Sequence, residues 1–542
     1  MSIKNANSKS WIVKPSADGK RYSGYQNGDA PVTPPVAPTL GAITSQSGNI
    51  KRVAITTFPS SATYLTREVS LNGGAYSSAG PNLTTGTTYF DYDVGTATSW
   101  SFRSKAGNGG GLSSLYSNIV SGSTSGSSVI TIGGIALPDV GTPIYAATTG
   151  SDSNTGTITS PRALTSATLD LAMRSGKGLV IRGGAYTPAA SFFDVFSNTS
   201  SAANGSSTTS WAVMKAYPGE TVTINCGANK FAWDNHHYWC IRDITFNSNG
   251  TCWFLGENFG GTNYFWVDNC IFNMAVGGDN NGAVGVPNQN FDYLYFTRNT
   301  FNGPGPTSST TSHNTCAVWC GYVKHLYVIG NRIDNVPKGV YQKYAHNATA
   351  QNQVDIQIKN NVISRCSDES MNLEGQWTVV TNNLVYNGGG ILVGESAGSQ
   401  NGDDIEWYHN TIFADVNLLH DSGSSTHFSL RNKFRSNLFT NSGRLMGYQF
   451  NTADPLLDTD FNFFTPATNA IIRSQISYSL STYKAAFPTQ EIHGVSGSPT
   501  FTGTLDITNL STFALSSGSL GKNAGHDGAD IGVNVLNLLT AN

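Results

Sequence analysis

The chain has 542 residues, of which 39% are hydrophobic and only 12% charged, with a formal net charge of −3. That length exceeds one ordinary domain, and the apolar content suffices for an extended core. The charge balance gives no electrostatic footprint for nucleic acid, and no apolar run approaches the roughly 18 residues of a membrane span, so neither is an expected partner.

Residues 1–38 are polar and end in APVTPPVAP, which reads as an N-terminal arm with a stiff connector, and an arm implies attachment elsewhere. The opening MSIKNANSKSWIVKP lacks the apolar core of a secretory signal, so synthesis and folding in the cytosol are expected. Residues 39–120 hold closely spaced strand signals: VAITTF, ATYLTREVS, a turn at Asn72-Gly73-Gly74, TTYFDYDV, TSWSFRSKAGN and YSNIVS. Over about 80 residues this run resembles a fibronectin type III sandwich. Residues 121–132 begin SGSTSGSS and read as a flexible linker.

From residue 133 the pattern changes. Thr165 to Arg174 is a short amphipathic segment expected to cap an open stack, followed by strand signals at Val180 to Tyr186 and in AVMKAYPGETVTINCG, 212–227. A repeat then dominates: FWVDNCIF, LYFTRNTF, YVIGNRI, QIKNNVI, VVTNNLV, EWYHNTI and FRSNLF. The shared asparagine falls at Asn269, Asn299, Asn331, Asn361, Asn383, Asn410 and Asn437, with Asp243 and Asn462 extending the series. A period of this size means stacked rungs, and each copy is too short and too strand-like for a helical repeat. The asparagines are expected to stack at one turn, tolerating left-handed backbone and bonding to neighbouring rungs.

These rungs, together with the GSD and TGT loop at 150–157 and the Gly183-Gly184 turn, resemble pectate-lyase-like proteins over about 390 residues. The resemblance implies an all-β chain, a right-handed single-stranded parallel β-helix over 133–464 preceded by the small fibronectin III-like sandwich. Residues 465–542 resemble the C-terminal closing segment of such proteins. Arm, sandwich and β-helix in this order look like a phage tailspike or receptor-binding fibre. That likeness implies a homotrimer on the virion, attached to phage tail or baseplate proteins through the arm and directed at bacterial capsular polysaccharide or lipopolysaccharide, without membrane insertion.

Aligning rungs on the asparagine converts sequence into a map of neighbours about 4.8 Å apart. The next strand of successive rungs then ends in Lys343, Glu374, Glu395, Asp421 and Tyr448, at nearly one offset. Glu374, Glu395 and Asp421 are the candidate catalytic carboxylates. Neighbours one rung apart suit the roughly 5 Å of a retaining glycosidase, and two rungs apart the roughly 9 Å of an inverting one. Adjacent like charges raise one pKa and so supply a general acid. Lys343, His420, Tyr341, Trp377, Trp407 and Tyr448 are the candidate substrate-binding residues, with Tyr386 a further stacking platform. The same column also fits a solvated strand end, or sugar binding without cleavage.

Turn carboxylates Asp403, Asp404, Glu406, Asp368 and Glu369 admit calcium ligation, which would favour a lyase with Lys343 or Arg365 as base. An aromatic patch at Trp233, His236, His237, Tyr238 and Trp239 is expected to pack a turn or a subunit contact, with a sugar subsite as the alternative. Seven cysteines, Cys226, Cys240, Cys252, Cys270, Cys316, Cys320 and Cys366, form no C-x-x-C pair and are expected to be reduced core residues. His313 beside Cys316 and Cys320 suggests zinc, but no second cluster closes such a site, and neither metal nor cofactor is expected.

Overall fold

A computed structural model describes residues 2–4, 10–15, 22–26, 34–45, 50–71, 76–94, 99–108, 113–123, 130–174, 178–194, 205–229, 231–232, 237–248, 253–254, 263–274, 282–286, 292–303, 316–321, 323–343, 355–373, 377–393, 404–418, 432–440, 445–447, 458–465, 470–473 and 476–541. The chain divides into two units, Met1–Leu137 and Pro138–Asn542.

In the second unit the repeats build three long sheets, one strand per repeat in each sheet that the repeat enters. Among the described residues the first sheet runs through twelve strands from Ile144–Ala146 to Asp458–Asp460, and the second through twelve from Gly184–Tyr186 to Val495–Ser496. The third has nine, from Gly282–Val286 to Ile476–Tyr478, all parallel except the last pair. This is a right-handed parallel β-helix, the architecture expected from the repeats. Alternate side chains point inward, as the two-residue strand period requires. The lumen is packed with aliphatic residues and with aromatic runs such as Phe246–Phe272–Phe301, whose rings stack at 5.4 and 5.0 Å.

The turn from the first to the second sheet explains the asparagine repeat. Asn299, Asn331, Asn361, Asn383, Asn410, Asn437 and Asn462 are all buried. From Asn331 onward each Oδ1 accepts the backbone N–H and the Nδ2–H of the preceding asparagine: Asn299 donates to Asn331 at 2.9 and 3.1 Å, and Asn437 to Asn462 at 2.9 and 3.0 Å. The row therefore runs one way. It starts where the Cys270 amide donates to Asn299 and ends at the Glu491 carboxylate, which accepts from Asn462.

Two details differ from the sequence reading. The left-handed residue is the one before each ladder asparagine, with φ of 54° at Arg298, 56° at Asn360, 54° at Asn382 and 53° at His409. Asn269 and Asp243 belong to this outer column, at φ 50° and 61°, and the inward slots of their rungs hold Cys270 and Ile244. An inward asparagine needs a partner on the next rung, so the row begins only where asparagines become consecutive.

Helix Ser166–Arg174 buries Leu169, Ala172 and Met173 over the first rung. At the far end the β-helix continues past 464, through Ile471–Arg473 and Val495–Ser496, and helix Leu480–Ala486 buries Leu480 and Tyr483 against the lumen. The remaining segment lies along the outside of the second sheet, where Leu510, Phe513, Val533, Val535 and Leu538 pack on Val362, Leu384 and Phe413.

The first unit is all-β as well. Residues expected to form an arm hold three antiparallel strands, Ser2–Lys4, Ser10–Pro15 and Tyr22–Gln26. Beyond them are a three-stranded sheet and a larger antiparallel sheet that share a core including Leu40, Val53, Leu65, Phe90, Trp100 and Phe102. Val120–Ser123, at the start of the expected linker, pairs with Ser99–Phe102.

Candidate functional site

The strands of the third sheet end where the candidate carboxylates follow in the sequence. Their register pairs Gln342 with Leu373, Leu373 with Val393 and Val393 with Leu418. Lys343 and Glu374 are the next residues of their rungs, whereas Glu395 is the second after Val393 and Asp421 the third after Leu418. Counted along the sequence, the three candidates stand one, two and three residues beyond the last paired residues of their strands, because the stretch from each ladder asparagine to its third-sheet strand shortens from rung to rung. Glu374, Glu395, Asp421, His420 and Tyr448 lie outside the described residues, as does the side chain of Lys343.

The described part of the outer face is built around Lys338. Its ammonium bonds Glu369 Oε2 at 2.8 Å, lies 3.5 Å from Asp368 Oδ2, and sits 4.7 Å from the Tyr341 ring centre. Asn372 Nδ2 donates to the same Glu369 oxygen at 3.1 Å, and Tyr341 is stacked on Trp319 at 6.2 Å. Burial disfavours the charge on Lys338, but the bond to Glu369 and the field of both carboxylates more than offset it and hold its pKa above the ordinary lysine value. Lys338 is therefore a fixed cation and not a proton acceptor. The indole N–H of Trp319 and the Oδ1 of Asn372 are buried without hydrogen-bond partners among the described residues, which marks this face as polar surface not yet fully matched. Sequence reasoning missed Lys338, Asn372 and Trp319. The signal was available in the strand alternation, which puts Trp319, Tyr341 and Asn372 on one outward column.

Several expectations change. Asp368 and Glu369 converge on an ammonium, so they form an ion-pair set and not a calcium cage; Glu406 likewise pairs with Lys433 at 2.6 Å. Arg365 is bound to Asp334, and that hydrogen bond raises its pKa, which removes it as a base. Trp407 is fully buried in the lumen and stacked on Phe434, so no sugar can reach its ring; Tyr341 is 5% exposed, beneath Lys338. Tyr386 packs edge-on to Phe413 and Phe513 under the C-terminal segment. Cys316 and Cys320 are buried, and burial drives both thiols well above the ordinary range, as befits core residues.

Trp377 is different. It is 46% exposed and held in the left-handed region at φ 50°, immediately before strand Thr378–Thr381 of the first sheet. A bulky residue such as tryptophan in that conformation is strained, so the turn presents its ring at some cost. The third-to-first-sheet connection that it closes, 374–377, is much shorter than its neighbours at 344–354 and 394–405. In the same register Tyr238, Tyr264, Tyr293 and His325 form a continuous stack with ring spacings of 4.6, 4.3 and 4.0 Å. Tyr238 of the expected aromatic patch starts this stack, while Trp239 is buried in the lumen and Trp233 and His236 lie outside the described residues.

No family model and no curated protein matches the chain. Among solved structures it is similar to a family 28 exopolygalacturonase of Yersinia enterocolitica, at 11% identity over 81% of this chain and 96% of that one, with a TM-score of 0.26. It is also similar to the pectate lyase PelI of Erwinia chrysanthemi: in complex with tetragalacturonic acid at 8% identity, 82% and 92% coverage and TM-score 0.14, and in a second structure at 9%, 85%, 99% and 0.14.

Proposed function

We propose that this chain binds a bacterial surface polysaccharide, capsule or lipopolysaccharide, and depolymerises it by glycoside hydrolysis with carboxylates drawn from Glu374, Glu395 and Asp421. The observation that carries the reading is Trp377: an exposed ring in a strained turn, three residues after Glu374, on a connection between the third and first sheets that is much shorter than those of the two adjoining rungs. Sugar rings stack on exposed aromatic faces, and a short connection leaves less chain above that rung than above its neighbours. One carboxylic acid would protonate the leaving glycosidic oxygen while a second carboxylate acts as nucleophile or activates water. As a phage tailspike the chain would act on the virion as a homotrimer, with residues 1–38 towards the tail.

The test incubates the protein with host capsular polysaccharide and follows reducing ends and the ultraviolet absorbance of unsaturated uronic acid. Hydrolysis predicts reducing ends without the absorbance, a loss of roughly 100-fold or more in Glu374→Gln or Glu395→Gln, and weaker substrate binding at unchanged stability in Trp377→Ala. Both signals together would instead mean a lyase. Retained binding with neither signal would make this a receptor-binding spike without turnover.

A further inference from the structure

Away from the third sheet, two histidines and an aspartate meet where the C-terminal segment crosses the outer, left-handed column of the first-to-second-sheet turns. His409, at φ 53° just before ladder residue Asn410, comes from the β-helix, and His526 and Asp527 come from the C-terminal segment. One ligand atom from each lies within 4.8 Å of the other two. The ring centres of His409 and His526 are 5.3 Å apart.

The hydrogen bonds around them fix which atoms are free. His409 Nδ1 is 3.0 Å from the carbonyl oxygen of Asp530, which can only accept, so Nδ1 carries a proton and Nε2 is the nitrogen left to meet a further partner. That Nε2 is buried and lies 3.1 Å from Asp527 Oδ2, without the alignment of a hydrogen bond. A ring nitrogen and a carboxylate oxygen this close call for a positive charge between them, either a proton on Nε2 or a bound cation. The Nδ1 of His526 is 2.8 Å from Ser436 Oγ, which also accepts the His526 backbone N–H at 2.9 Å, so this ring too is held through Nδ1 and turns its other nitrogen away from that contact. Asp527 keeps Oδ2 free because the Ala529 amide is bonded to Oδ1. Imidazoles whose second nitrogen is held by an outer oxygen are the usual state of metal-bound histidines. A recess of about 350 Å³ lined by His409, Asp527 and Asn382 adjoins the group.

We propose that His409, His526 and Asp527 bind one divalent transition-metal ion of the zinc type. Two imidazoles and one carboxylate suit zinc, cobalt or nickel and not calcium or magnesium, and three protein ligands leave a fourth position for water. His526 and Asp527 are exposed and close the remaining separation by side-chain rotation. The ion joins a β-helix turn to the segment that covers the second sheet, so it acts as a clamp on that segment and takes no part in glycan cleavage.

The test uses the full chain without an affinity tag, stripped with chelator and titrated with ZnCl2 by calorimetry, with CoCl2 absorption as a second readout. The expected result is one ion per chain, with affinity falling by about 100-fold in His526→Ala and at least tenfold in Asp527→Asn, both folded by circular dichroism. His493→Ala, which alters a histidine paired with Asp460 outside the group, should bind as the parent does. Bound zinc should also slow proteolysis of the segment after residue 498 in the parent but not in His526→Ala. Absence of zinc binding, or equal binding by the parent and His526→Ala, would overturn the site and leave His409 and Asp527 as an ion pair only.

Discussion

Glu491 shows how one buried group sets a pH dependence. Its carboxyl is fully buried at the end of the asparagine row, and burial pushes its pKa up to about 7 from 4.5, against the opposing hydrogen bonds from Thr459 and Asn462. Because the folded state holds this proton more tightly than the unfolded state, the linked stability is complete below pH 4.5 and is lost as pH rises through 7. Its size is on the order of 3 kcal/mol at most. Thermal melts between pH 5 and 8 should show the midpoint falling in the parent and a smaller fall in Glu491→Gln, which keeps an acceptor without the charge; parallel falls would remove Glu491 as the cause. At this scale the ladder was largely readable, since an asparagine recurring between apolar pairs has few other uses. Its ends were not, because Glu491 and Cys270 are known as termini only from what stands beside them.

The strands show where reading from sequence stops. A strand and its inward face follow from two-residue alternation, and the stack follows from the period. The register of a third strand relative to the ladder does not, because connections of different length intervene between one rung's asparagine and its next outward column. That is why Glu374, Glu395 and Asp421 share nearly one offset from the asparagine but not from the last paired residue of their strands, and why Lys338 and Glu369 were not paired. Their pairing makes a prediction for this element. Lys338→Met leaves Glu369 and Asp368 facing each other at a buried edge, and should lower stability by roughly 3 kcal/mol, as breaking a buried ion pair does. Combining it with Glu369→Gln should restore part of the loss. Urea unfolding of the two single variants and the double variant measures the coupling, and additive losses would show that the pair is independent. Trp407 was misjudged for a related reason: aromatic residues on successive rungs read alike whether they face the lumen or the solvent.

Across the β-helix unit, the lateral apolar surface of the second sheet is covered by the chain's own C-terminal segment. Val362, Leu384 and Phe413, together with Leu438 and Phe463, are buried beneath Leu510, Phe513, Leu515, Ile531, Val533 and Leu538. The closing segment was visible in the sequence as a change of pattern after Asn462, but its position along a flank, and not across an end, depends on contacts no local pattern encodes. Ending the chain at residue 498 should expose this strip, and an apolar strip of this kind drives association. The expected outcome is strong binding of a hydrophobic dye and concentration-dependent aggregation; a monodisperse, dye-silent truncation would show that the segment is dispensable.

The one-way asparagine row has a consequence for how such a protein changes length. Every interior member both gives and receives, while the first rung only gives and the last, at Glu491, only receives. An added module inserted between two interior members meets the same chemistry on both sides, whereas one appended at either end meets none. Growth and shortening therefore belong to the middle of the column. Duplicating residues 384–410 after Asn410 should extend the protein by about 4.8 Å in small-angle scattering with its termini undisturbed, a ruler lengthened by splicing in another division.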